Sequence, residues 1–162
     1  MGAGSVVAVR RLLAVLALAV VDAVVAAAPA GAQAASTKCT LFAVLKPGNE
    51  VPPVNSQATG ASLVHINGTT IRFTTVIANP ARETFTLGHI HRGAAGVNGP
   101  VVVDFFNGMS NRRLFTQFDT GTLRPPFANP AEICANPAGF YVNYHTAAFP
   151  GGAVRGQLNR LF

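Results

Sequence analysis

The chain is written in short β-forming runs, each closed by Gly, Pro or Asn-Gly, and this punctuation limits the fold more than any other feature. The runs are Cys39 to Leu45, Gly60 to Ile66, Thr69 to Ala78, Phe85 to His91, Val101 to Phe106, Gly139 to Thr146 and Ala153 to Leu158. They are rich in Val, Ile, Thr, Phe and Tyr, which suit a pleated, half-buried surface. Asn67-Gly68 joins the second run to the third and is the strongest short hairpin signal. Asn67-Gly68-Thr69 is also a glycosylation sequon, read only in a eukaryotic host. No segment of useful length repeats with the helical period. Short strands with turns about every ten residues argue for an all-β domain, an antiparallel β-sandwich or a Greek-key-like barrel.

Between the runs the reading is coarser. Lys46-Pro47-Gly48-Asn49 breaks the first strand, and adjacent Pro52-Pro53 confine the next segment to an edge or loop. From 107 to 138, Asn107-Gly108 and Gly121 read as turns and Leu114 to Phe118 as a strand. Four prolines (Pro125, Pro126, Pro130, Pro137) then mark an irregular loop, with a short helical turn near Ala131 to Cys134.

The N-terminus reads as an export signal. Arg10-Arg11 precede an apolar run from Leu12 to Ala28, broken only by Asp22, and small residues follow. Ala32-Gln33-Ala34 is the preferred cleavage site and Ala30-Gly31-Ala32 the second. The run is short for a membrane span, and Asp22 is costly inside one. Residues 1–34 are therefore assigned to a signal peptide and 35–162 to one domain. The leader carries two Arg and one Asp, so the domain keeps +5 of the chain's +6. Its bases are scattered, with only Arg112-Arg113 adjacent, which argues against nucleic acid as a partner. No membrane-spanning segment follows residue 34. The expected location is secreted, periplasmic or cell-surface. Cys39 and Cys134, an even pair in an exported chain, are expected to form a disulfide.

Chemistry concentrates between Gly88 and Phe106. His89 and His91 flank Ile90, so on a strand both imidazoles project from one face. Gly93, Gly96 and Gly99 follow in a loop that lacks the Gly-Lys-Ser/Thr end of a phosphate cradle. Positive φ angles in a tight connection are the expected reason for these glycines.

Three segments together resemble the CHRD domain, a chordin-type module. They are Asn49 to Val54, then Gly88 to Gly93 with Gly99 to Asp104, then Tyr141 to Thr146 with Phe149 to Leu158. The resemblance spans about residues 40–161. It implies an all-β extracellular module and does not itself give an activity.

Two classes of function follow. The first is a binding or structural module, whose partner would be an extracellular protein or an acidic polysaccharide met by Arg92, Arg112 and Arg113. The alternative is a metal-binding protein. His145 shares its strand face with Tyr141 and Asn143, and if its strand neighbours that of His89 and His91, three imidazoles converge. Such a set suits Zn²⁺ or Cu²⁺ and leaves a position open, where a copper redox activity would act. Met109 is the only methionine after the leader, which disfavours a soft Cu(I) site. Asp104 or Glu50 would complete the shell or orient a ring. An enzyme is disfavoured: there is no Gly-x-Ser-x-Gly elbow and no spaced carboxylate pair. Arg155 is expected to be partly buried and ion-paired with Glu50 or Asp104.

Overall fold

The computed structural model describes residues 37–107, 115–125 and 129–161. The export signal with its cleavage sites, Met109 and the Arg112-Arg113 pair lie outside the described residues. Among these residues nine strands carry the fold: β1 (Lys38–Leu45), β2 (Thr59–Asn67), β3 (Thr70–Ala78), β4 (Phe85–Arg92), β5 (Val101–Asn107), β6 (Thr116–Leu123), β7 (Phe140–Thr146), β8 (Val154–Gln157) and β9 (Asn159–Arg160). One short helix, α1 (Pro130–Ala135), and two single turns of 3₁₀ helix, Pro47–Asn49 and Pro137–Gly139, interrupt them.

All pairings of these strands are antiparallel, and they make two sheets. One runs β6-β3-β2-β1-β9 and the other β5-β4-β7-β8. The fold class is thus the expected antiparallel sandwich. Alternation sets the faces of the first sheet: Leu41, Val64, Ile66, Ile71, Phe73 and Ile77 point into the core. Ile90, Val103, Val142, Tyr144 and Val154 answer from the second sheet. Phe73 and Phe105 stack across the gap, 4.0 Å between ring centroids. The hairpin expected at Asn67-Gly68 forms, but its two turn residues are Gly68 and Thr69, because Asn67 ends β2 paired with Thr70; Gly68 takes φ 59°.

Two local readings are corrected. Gly121 is not a turn but lies inside β6, opposite Phe73. The Phe73 ring fills the place a side chain would take, since a Cβ there would stand 2.7 Å from it. A packing requirement, invisible to local pattern, therefore overrides the turn propensity of glycine. In the 93–99 loop only Gly96 has positive φ, at 79°. Gly99 is needed for a different reason: a Cβ would run into the Arg92 carbonyl oxygen.

Cys39 and Cys134 are bonded, tying β1 to α1 across 95 residues of sequence. A loop of that length stabilises by on the order of 4–5 kcal/mol in the chain-entropy model.

β7 departs from the one-sided pattern. All seven of its residues are buried. Phe140, Val142 and Tyr144 belong to the core between the sheets. Tyr141, Asn143 and His145 point the other way, so loops must cover that outer face. Arg155 on β8 holds one of them. It is 1% exposed, donates to Ala94 O, Val97 O and Asn98 Oδ1 at 3.0, 2.8 and 3.1 Å, and lies 3.4 Å over the Tyr141 ring. The expected ion pair is not what binds it. Among the described residues no carboxylate lies within direct reach of the guanidinium, and Glu50 acts on it only as a longer-range charge. Asp104 sits on β5, with β4 and β7 between it and β8. The guanidinium satisfies its donors on loop carbonyls instead, a geometry that suits its planar fork.

Two outcomes follow. Thiol titration of the unreduced, denatured domain is expected to find no free thiol, and two free thiols would contradict the bridge. Arg155→Ala is expected to cost roughly 3 kcal/mol or more, because charge-assisted hydrogen bonds are lost and buried carbonyls are left unpaired. Chemical denaturation reads this directly. A variant as stable as the parent would show that the loop does not depend on the guanidinium.

Candidate metal centre

β4 and β7 are direct neighbours, which brings the three expected histidines together. The register pairs Leu87 with His145, His89 with Asn143 and His91 with Tyr141. His89 and His145 are thus diagonal neighbours on one face, and His91 stands one pair further along. Register shifts against β5 fall between Gly88 and His89 and between Ile90 and His91. Such irregularities re-aim side chains, here the two histidines. The rings are 6%, 8% and 7% exposed for His89, His91 and His145. One nitrogen from each lies within 4.8 Å of the other two.

Outer partners fix which nitrogen faces inward. His91 Nδ1 lies 2.9 Å from Gly99 O, and His145 Nδ1 lies 2.9 Å from Pro150 O. A carbonyl oxygen only accepts, so each Nδ1 carries the proton and donates. Nε2 of both rings is left as a lone pair. His89 Nε2 stands 3.3 Å from Asp104 Oδ1. The carboxylate likewise draws the proton to Nε2 and leaves the His89 Nδ1 lone pair facing in. His89 Nδ1 and His145 Nε2 are 3.2 Å apart. In this tautomer set two lone pairs meet at hydrogen-bond distance with no proton between them. Moving the His89 proton to Nδ1 relieves that contact only by turning another lone pair on Asp104. A bound cation resolves both at once.

Electrostatics agree. Burial, then the neighbouring His145 and His91, push the His89 ring down to about 4. Burial also lowers His91 and His145. All three are neutral at pH 7, the form in which imidazole ligates. Bonds of about 2.0–2.1 Å imply an N···N spacing of about 3.4 Å around a tetrahedral ion. The His89–His145 pair already stands close to that.

The surroundings are ordered. Tyr141 stacks on His91, 4.9 Å between centroids and 7° between planes, with Arg155 over the Tyr141 ring. The Tyr141 hydroxyl accepts from Gly99 N at 3.2 Å, so the loop that fixes His91 is tied to the strand beside it. Asn143 Nδ2 donates to Glu50 Oε2 at 3.4 Å. Glu50 is 5% exposed, and burial pushes its carboxyl up to about 7. His91 Nε2, Asn143 Oδ1 and Glu50 Oε1 are buried without a protein partner.

Of the expected site residues, His89, His91, His145 and Asp104 gather here, while Glu50 reaches the cluster only through Asn143. Arg92 is not a free basic residue: it makes a bidentate pair with Glu132. His65 is apart, exposed on β2, with Nδ1 3.0 Å from Thr40 Oγ1. The Gly99 and Pro150 carbonyls were missed by sequence reasoning, because a backbone oxygen carries no residue-type signal.

Comparison with known proteins assigns the chain to a family. No match to a curated protein and none to a solved structure was found. The CHRD domain family model matches residues 41–158, from β1 through the turn after β8, and so takes in every residue of the histidine cluster. This chain belongs to the CHRD domain family.

Proposed function

We propose that this domain binds one divalent ion, Cu²⁺ or Zn²⁺, through His89 Nδ1, His91 Nε2 and His145 Nε2. The observation that carries the reading is the convergence of three buried neutral imidazoles whose outward nitrogens are each held by an acceptor. Three neutral nitrogens favour Cu²⁺ over Zn²⁺ in intrinsic affinity. The domain works outside the cytoplasm, a placement supported by its disulfide. No helix among the described residues is long and apolar enough to cross a membrane.

Elemental analysis and calorimetry on the purified domain test the reading. One ion per chain is expected, with ion at 100 times its Kd raising stability by about 2.7 kcal/mol. Replacing any one of the three histidines by Ala should weaken binding beyond the ~10–100-fold that loss of an outer partner costs, as in Asp104→Asn. His65→Ala should bind as the parent does. Protons should compete only well below the ordinary histidine range, because burial holds the rings neutral. In the metal-free protein these depressed values leave the unfolded chain binding more protons as pH falls. The histidine contribution to stability is therefore full above about 6.5 and lost toward about 4, the value for His89. A metal-free protein whose melting temperature ignores added ion would overturn the proposal.

A second reading, an anion-binding face, rests on a separate groove. His65, Asn67, Thr70, Arg72, Thr122 and Arg124 line a cavity of about 300 Å³ on the outside of the five-stranded sheet. No acidic side chain is in this lining. Arg72 is paired in register with His65 on one side and Thr122 on the other. An acidic polysaccharide would meet these residues rather than Arg92. Arg72→Ala with Arg124→Ala should abolish salt-sensitive retention on a sulfated polysaccharide column. Unchanged elution would remove this reading.

A further inference from the structure

We infer that the three-histidine ion is open to an exchangeable ligand, a water or small protic molecule, received by Asn143 and Glu50. This rests on the metal reading and adds to it the nature of the fourth position. Among the described residues, the buried side-chain atoms without a protein partner are His91 Nε2, Asn143 Oδ1 and Glu50 Oε1. An orphaned buried polar atom loses its water without gaining a partner, so three in one neighbourhood call for a shared explanation. The ion accounts for His91 Nε2 and cannot account for the other two. Asn143 Oδ1 is a side-chain amide oxygen and only accepts, and Glu50 Oε1 is an acceptor in its ionised form. What they lack is a hydrogen-bond donor.

Their place in the fold says where the donor sits. Asn143 lies between Tyr141 and His145 on the outer face of β7 and is the direct cross-strand partner of His89. Side chains so paired stand about 4.5–5.5 Å apart at Cβ. The Asn143 amide nitrogen is committed to Glu50 Oε2, which fixes its oxygen as the free end. Glu50 is held from behind by the turn at Gly152, where φ is 137° and a Cβ would stand 2.5 Å from the carboxylate. Both orphan oxygens thus belong to one rigid pair beside His89. A ligand on the ion that carries hydrogen, water first of all, donates to them and satisfies both. An aprotic anion in its place meets acceptor oxygens and is disfavoured.

Access is built in. Glu50 is a shared wall of two surface cavities of about 320 and 230 Å³. The first is lined also by Asn49, Ala95 and Arg155, the second by Pro150 and Gly152. A closed structural site is four-coordinate with protein ligands, whereas three protein ligands leave one position for solvent or a substrate.

The experiment loads the intact domain with Cu²⁺ and uses azide as the probe. Proton ENDOR of the parent, before and after exchange into D₂O, should show strongly coupled exchangeable protons from a bound water, and azide should remove them. Asn143→Leu should keep one ion per chain and the three-nitrogen hyperfine pattern. Its azide affinity should rise at least about 5-fold, because the displaced water has lost its acceptor and the anion its repulsion. Glu50→Gln should shift azide affinity in the same direction. Absence of exchangeable-proton coupling in the parent, which needs no variant to fold, would overturn the inference, as would unchanged azide affinity in a folded, copper-loaded Asn143→Leu. Failure of the parent to take up copper would instead defeat the metal reading beneath it.

Discussion

A buried guanidinium organises the outer face of the four-stranded sheet. Among the described residues Arg155 has no carboxylate in direct contact, so its burial depends on carbonyl acceptors from the 93–99 loop and on the face of Tyr141. Those acceptors exist only if the loop folds down over β7 and β8. The loop in turn presents Gly99 O to His91 and accepts a tie to Tyr141. One cation thus sets a loop, the loop sets the His91 tautomer, and the tautomer decides which of its nitrogens faces the other two histidines. Lysine would not serve as well, since a point charge on a flexible stem lacks the fixed fork of donors that reaches Ala94 O, Val97 O and Asn98 Oδ1 together.

The second constraint is the burial of β7 on both faces. A sandwich strand ordinarily sends one face to solvent, where histidines titrate near 6.5 and hold ions poorly against protons. Here the loops around residues 47–54, 93–100 and 147–152 cover the outward row. Desolvation makes the rings neutral, and the two backbone carbonyls with Asp104 direct their lone pairs. The fold buries a three-histidine face on the outside of a sheet by covering it, leaving the hydrophobic core between the sheets free of polar groups from the cluster.

Much of this was legible in the sequence, for identifiable reasons. Alternation exposed most of the strands, Asn67-Gly68 the hairpin, and His-Ile-His the shared face, because each depends on neighbours in the chain. The convergence of His145 required only that β4 and β7 be adjacent. The extent of β6 was not legible, since Gly121 is placed by Phe73, a residue 48 positions earlier. Nor was the setting of Arg155, because charge counting looks for carboxylates and the acceptors are carbonyls. Asp104 was nominated for both roles. Only the sheet order, which puts two strands between β5 and β8, assigns it to His89. Family likeness located the domain, while the ligand set came from alternation and register.

As proposed, a single ion is held by Nδ1 of His89 and Nε2 of His91 and His145. Ring ¹⁵N resonances of the isotope-labelled domain, recorded with and without Zn²⁺, test it most directly, because each nitrogen reports its own proton or metal bond. Zinc is expected to move one Nδ1 and two Nε2 resonances to the metal-bound range, while His91 Nδ1, His145 Nδ1 and His89 Nε2 remain protonated. Any other distribution of bound nitrogens, or ring spectra unchanged by zinc, would contradict it.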